Sequence, residues 1–164
     1  NPNGWTVVTH HHPIYSSAEG RNNEKLRSSW QPLYSKYGVD LVMQGHDHTY
    51  ARGQTRNITG DLNVEDPSSG TVYVNSVSGA KMYNLGEEGW KSFGGEMQRS
   101  AENTQLYQIV HVSPDTMKYR AYAVTGELYD AFDLVQQEVQ KVNKMIKKTV
   151  EVQQRTFDNT VSYE

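Results

Sequence analysis

The sequence predicts an α/β fold in which two parallel strands end in histidines at a common sheet edge, and three observations lead there. Two clusters, Thr9-His10-His11-His12-Pro13 and Gly45-His46-Asp47-His48, hold five of the six histidines of the 164-residue chain. Each cluster follows a short β-type run, Trp5-Thr6-Val7-Val8 before the first and Val39-Asp40-Leu41-Val42-Met43 before the second. Between the runs lies a stretch with helical periodicity.

That stretch fixes how the strands are related. From Glu24 to Tyr37, Leu26, Trp30, Leu33, Tyr34 and Tyr37 recur at the spacing of one helical face, Gly38 is a natural helix stop, and Pro32 introduces a kink. A strand, a helix and a second strand form a right-handed crossover with parallel strands. Both clusters therefore leave the same edge, where open α/β sheets place ligands.

After the second cluster, a loop rich in Gly, Asn, Asp and Ser runs from about Gly53 to Gly70, and Thr71 to Val77 alternates as a strand. A Gly-rich stretch from about Gly86 to Gly95 precedes three further strands, Gln105 to Val112, Met117 to Val124 and Glu127 to Leu134. Ser113-Pro114-Asp115 and Thr125-Gly126 have the composition of hairpin turns, so these strands read as a β-meander. Half-buried tyrosines on antiparallel sheets account for the 11 Tyr better than a carbohydrate-binding face does, and His111 on this meander reads as structural. From Val135 to Arg155 there is no Gly or Pro, and Val135, Val139, Val142, Ile146 and Thr149 recur at alternating four- and three-residue spacings. We expect residues 1–134 to form one unit and 135–164 an amphipathic helix with a frayed end from Phe157. Docking of that helix onto its parent domain is favoured slightly over a partner or dimer contact.

Neutral imidazole offers a lone pair at pH 7 and is the commonest ligand of zinc-like metals. A lone His-x-His is weak evidence, but a Gly-His-x-His ending one strand beside a histidine cluster ending its parallel neighbour points to a metal site. The net charge of -3 argues against a nucleic-acid surface, and no apolar run reaches the length of a membrane span. With no cysteine, no disulfide can form.

The residues TVVTHHHPIYSS and VDLVMQGHDHTYARG resemble the calcineurin-like metallophosphoesterases, within them the purple acid phosphatase-like branch, from Asn1 to about Arg52 and more weakly in the later strands. The resemblance implies the C-terminal part of a two-sheet, helix-flanked sandwich. It implies His11, two places before Pro13, as a metal ligand, and His46 and His48 as ligands of two different metals. His10 is expected to pack beside its strand. His12 is either a substrate contact or a group behind the ligands. The family's aspartate, bridging-aspartate and asparagine motifs lie upstream of the histidine strand, and here only Asn1 to Gly4 precede Trp5, so a C-terminal fragment of a larger enzyme is expected. Gly60-Asp61 comes after the histidine motifs and reads as a turn. Plant-type members carry further substrate-facing histidines after the tyrosine, whereas SSAEGRNNEK follows Tyr15; Arg21 is the candidate phosphate contact there, against a solvated loop arginine.

The functional expectation is hydrolysis of phosphate esters at a dinuclear site of zinc, manganese or iron in the complete parent, with this chain supplying His11, His46 and His48 and inactive by itself. Its partners would be the ester substrate and the missing N-terminal half, with weak self-association where that half packs. Secreted or periplasmic placement is implied by the resemblance alone. The alternative is a non-catalytic binding or interaction module holding at most one metal.

Overall fold

The computed structural model describes residues 4–55, 57–58, 65–66, 70–86 and 90–136. Strand β1, Val7–His10, pairs in parallel with β2, Leu41–Gln44, in a register running from Val7 opposite Leu41 to His10 opposite Gln44. The crossover between them is helix α1, Glu24–Tyr37, which contains Pro32 and stops at Gly38. Gly38 has φ 62° and ψ 51°, a left-handed conformation that glycine adopts without the Cβ penalty, and Val39 N–H then closes onto the Tyr34 carbonyl at 3.0 Å.

Only part of the expected helical face turns inward. Leu26 and Tyr34 pack against the core, whereas Leu33 and Tyr37 remain 48% and 66% exposed. The buried position is taken by Arg27, whose guanidinium lies 3.9 Å from the Phe93 ring centroid and donates to the Ile14 carbonyl at 3.2 Å. A cation held over an aromatic face with a satisfied donor can occupy a place the hydrophobic pattern assigns to an apolar residue.

The first sheet has five strands in the order β1-β2-β6-β3-β7. Strand β3 is Tyr50–Thr55, β6 is Val72–Asn75 and β7 is Gly95–Ala101. β6 continues the parallel set beside β2, while β3 runs antiparallel to both β6 and β7, so the sheet is mixed. Neither β3 nor β7 is expected from the pattern: Gly53 reads as the start of a loop and Gly95 as the end of one. Gly53 is instead required by packing, because a Cβ there would collide with the Glu96 carbonyl oxygen and the Trp90 ring. The β3–β7 register shifts between Arg52 and Gly53, as a bulge does. Strands β4, Asn57–Ile58, and β5, Glu65–Asp66, form a two-stranded ladder inside the segment read as a polar loop.

The second sheet is the meander, β8 Leu106–Val112, β9 Thr116–Ala123 and β10 Leu128–Val135, in the order β10-β9-β8. Side-chain alternation along β6 divides the core into two layers. Val72 and Val74 join Leu41, Tyr50, Leu106, Met117, Tyr119 and Ala121 between the sheets, whereas Tyr73 joins Ile14, Tyr15, Val42 and Trp90 on the side of α1. The described part of residues 1–134 is thus a two-sheet sandwich with a helix on its outer face. The amphipathic helix expected from Val135 lies outside the described residues from 137 on, and Val135 itself ends β10.

Candidate metal centre

The parallel register of β1 and β2 brings the two histidine segments out at one edge. Gly45 N–H donates to the His11 carbonyl at 3.0 Å and ties the two exits together. Beyond this tie, one ligand atom each from His11, His12 and His46 lies within 4.8 Å of the others. The ring centroids are 5.2 Å apart for His11 and His12, 5.2 Å for His11 and His46, and 4.4 Å for His12 and His46. His46 reaches this position with φ at 68°. A non-glycine residue in that region is strained by roughly 1–2 kcal/mol, a cost that clusters at functional sites.

The edge is held by polar side chains that follow from the same motif. Gln44, the last residue of β2, accepts from Ile14 N–H at 2.8 Å and donates to the Tyr15 carbonyl at 3.2 Å, so it fixes the chain just past Pro13. Asp47 is buried, and its Oδ2 accepts from Ser16 Oγ at 2.6 Å, Ser17 N at 3.0 Å and Ala18 N at 3.2 Å. Ser17 Oγ meets Thr49 Oγ1 at 2.7 Å and accepts from Asn75 Nδ2 at 3.0 Å. The loop so fastened carries Arg21. Its guanidinium lies against the His46 ring, 3.4 Å from Nε2 and closer still to Nδ1, with Nε 3.7 Å from Asp47 Oδ1. The guanidinium also faces the Tyr83 ring at 5.0 Å and borders an open pocket of about 390 Å³ lined by Ala18, Glu19, Met82, Tyr83 and Asn84.

Residues 1–50 match the family model of the calcineurin-like phosphoesterases. The acid phosphatase of Aspergillus ficuum is 42% identical over 48 residues, which are 29% of this chain and 8% of that protein. Tartrate-resistant acid phosphatase type 5 of Oryctolagus cuniculus is 35% identical over 97 residues, 56% of this chain and 29% of that one. Among solved structures, a purple acid phosphatase from yellow lupin (Lupinus luteus) seeds superposes with a TM-score of 0.54 at 18% identity, over 82% of this chain and 25% of that chain. Residues 1–50 are thus similar to the calcineurin-like phosphoesterases, and the chain shares sequence and fold with parts of acid and purple acid phosphatases. It spans less than a third of the length of each of these relatives.

The structure gathers His11, His46 and His12, the last of which the sequence assigns to substrate or to a supporting place. His48 lies outside that group: its Nδ1–H donates to the Lys81 carbonyl at 2.7 Å, and its ring sits 4.8 Å from that of Tyr83. The bond leaves the lone pair on Nε2, the arrangement that metal-ligating histidines commonly have. His10 packs on α1, with ring centroids 5.1 Å from Trp30 and 6.2 Å from Tyr34. His111 is exposed on β8.

The likeness to metallophosphoesterases implies metal, and the three-imidazole donor set fits an ion of the zinc type. Burial, the Arg21 guanidinium, His12 and His11 all depress the His46 pKa, against the opposing pull of Asp47, so the imidazole is neutral with a lone pair to give. Among the described residues, no carboxylate belongs to the three-histidine group. Sequence reasoning missed Gln44 as a bracket and Asp47 as a buried anchor. The signal was present in the positions themselves, since a polar residue ending a buried strand and an acid inside a Gly-His-x-His turn both need partners.

Proposed function

We propose that this chain supplies the histidine face of a phosphate-ester hydrolase site. His11 and His46 would ligate one metal, with His12 beside them as a third ligand or a phosphate contact. His48, with Nε2 unprotonated, would serve a second ion. Zinc, manganese or iron suits imidazole donors mixed with carboxylates better than calcium or magnesium does. The convergence of three imidazoles at the common edge of two parallel strands carries this reading.

Bound metal supplies Lewis acidity toward a phosphoryl oxygen and makes a water nucleophilic at neutral pH. The chain's own residues would do the rest. Arg21 presents a planar, permanently charged fork to the ester phosphate. Gln44 and Asp47 hold the loop that aims it, and the left-handed turn at His46 sets the imidazole. Carboxylate ligands for a dinuclear site would come from sequence outside this chain, in keeping with its short span of its relatives. Reassembly tests this. Mixing the chain with the carboxylate-bearing segment of its parent should give metal-dependent hydrolysis of p-nitrophenyl phosphate that His46→Ala abolishes. Absence of turnover in the reassembled protein would sink the reading.

The purely imidazole composition of the group favours one alternative, a non-catalytic module with a single bound metal. It predicts metal binding without hydrolysis in the same reassembly experiment.

A further inference from the structure

Residues 81–84 run beside the three-histidine group and are tied in from two sides. His48 Nδ1–H donates to the Lys81 carbonyl at 2.7 Å, and Tyr83 N–H donates to the His48 carbonyl at 3.1 Å. From the other side, Glu19 N–H donates to the Asn84 carbonyl at 3.0 Å, and Leu85 forms an antiparallel bridge with Ala18. The segment is therefore fixed between the second histidine turn and the loop that carries Arg21. With that loop it walls the open pocket of about 390 Å³, a size within the range of small-molecule sites.

Two cations meet on the Tyr83 ring. The Arg21 guanidinium and the Lys81 ammonium each lie 5.0 Å from its centroid. The ring attracts each of them weakly, but like charges gathered at one side chain still repel. Asp47, 3.7 Å from Arg21 Nε, offsets the first charge. Lys81 has no ion-pair partner among the described residues. Glu19 also borders the pocket, yet its carboxylate accepts from Asn84 Nδ2 at 3.4 Å rather than pairing with either cation. An anion entering the pocket would meet Lys81 as an uncommitted charge with three donors, and the planar Arg21 fork beside it. Arg21 also touches the His46 ring, so the pocket opens next to the histidine group rather than on a separate face.

We propose that Lys81, with Arg21 on the same tyrosine, forms a second anion subsite, and that the ester cleaved here carries a further phosphate or carboxylate on its leaving group, which Lys81 binds. The inference rests on the phosphate-ester reading of the histidine group, and it makes Lys81 a specificity residue.

The test is a titration of the metal-free 164-residue chain, in a chelator at about pH 8 where the imidazoles are neutral, with inorganic phosphate and separately with acetate at constant ionic strength. Lysine ε-methylene and arginine Nε–H NMR signals report the site. Lys81 and Arg21 should shift saturably, with Lys81 binding at least about fivefold more tightly than Lys25, Lys36 and Lys118, and Lys81→Gln should weaken the affinity read at Arg21 about fivefold. The anion bound more tightly names the group. Lys81 titrating like the other three lysines, or an unchanged affinity at Arg21 in Lys81→Gln, overturns the proposal. In the reassembled enzyme, the ratio of kcat/KM for glucose bisphosphate (phosphoglycerate, should acetate bind the tighter) to that for p-nitrophenyl phosphate should fall about fivefold in Lys81→Gln. An unchanged ratio overturns the assignment to the leaving group. Because the titration contains neither metal nor turnover, its failure leaves the hydrolase reading standing. A reassembled protein without turnover instead removes that reading, and the leaving-group assignment with it.

Discussion

His10 and His46 are both ring nitrogens near one sheet edge, yet their surroundings assign them different work. His10 lies against Trp30 and Tyr34 and its Nδ1–H donates to the His12 carbonyl at 2.8 Å, so its value is packing and loop closure. His46 stands among two other imidazoles with a depressed pKa. His46→Ala should therefore abolish measurable zinc binding by the isolated chain, whereas His10→Ala should change the affinity by less than about threefold while lowering thermal stability. Calorimetry with a thermal melt checks both, and equal affinity losses would mean that the ligand register is misassigned. In a complete enzyme, the corresponding contrast is His48→Ala against His10→Ala. Loss of a ligand to the second metal should lower turnover about a hundredfold or more, as removal of electrostatic stabilisers does at such centres.

Asp130 offers a separate residue-level test, far from the histidines in sequence. Burial alone would raise its pKa, but hydrogen bonds from Arg52 and Tyr50 and the Arg52 charge outweigh it, and the net shift is downward. Arg52 grips it with Nε to Oδ2 at 2.7 Å and Nη2 to Oδ1 at 3.0 Å, and Tyr50 donates at 2.8 Å. A carboxyl with a lowered folded-state pKa contributes stability that is complete above its unfolded value near ~4 and is lost as pH falls through the folded value. Urea midpoints measured from pH 7 to pH 2 should thus fall through the acid range in the native chain, and fall less steeply in Asp130→Asn. At pH 7 the variant should be less stable by about 3–5 kcal/mol, because Arg52 is left buried without its counter-charge.

At the scale of elements, the parts visible in the sequence are those whose local chemistry and tertiary role coincide. Helix α1 could be placed from Glu24 to Tyr37 because a periodic run meets a left-handed glycine, and the meander strands because β-rich runs meet turn residues. Strand β3 was hidden for the opposite reason. Its residues Arg52, Gly53, Gln54 and Thr55 look like loop text, and what makes them a strand is supplied from elsewhere: Asp130 pairs Arg52, and Trp90 needs the space at Gly53. The crossover argument brings His11 and His46 to one edge, but it names His48 as the third member where the structure gathers His12. The place of His12 was not legible, because the approach of its ring to those of His11 and His46 is set in three dimensions past the strand ends, which no spacing reveals. Gly53→Ala tests the tertiary account of β3. The added methyl must push apart β3 and β7 or displace the buried Trp90, so urea denaturation should show a loss of about 1–3 kcal/mol or more. Gly38→Ala, with open space around its Cβ but φ at 62°, should cost only about 1 kcal/mol. Equal losses at the two positions would show that β3 packs less tightly than described.

At the scale of the whole molecule, charge decides how much metal the chain can hold without help. Three imidazoles bring no negative charge, and beside them stands the Arg21 guanidinium, offset by the one buried carboxylate of Asp47, whose Oδ2 is bound by its loop. Two divalent cations placed side by side against such a surface would repel each other with no bridging anion between them. The isolated chain should accordingly bind one zinc at most and show no steady hydrolysis of p-nitrophenyl phosphate, even though its sandwich and its histidine edge are formed. Metal analysis after dialysis, run beside the phosphatase assay, checks this. Two tightly held ions with sustained turnover would mean that carboxylates of this chain enter the centre, and Asp47, Asp61 and Asp66 would be the first to substitute. Loss of the second ion in one of those variants would identify the bridge.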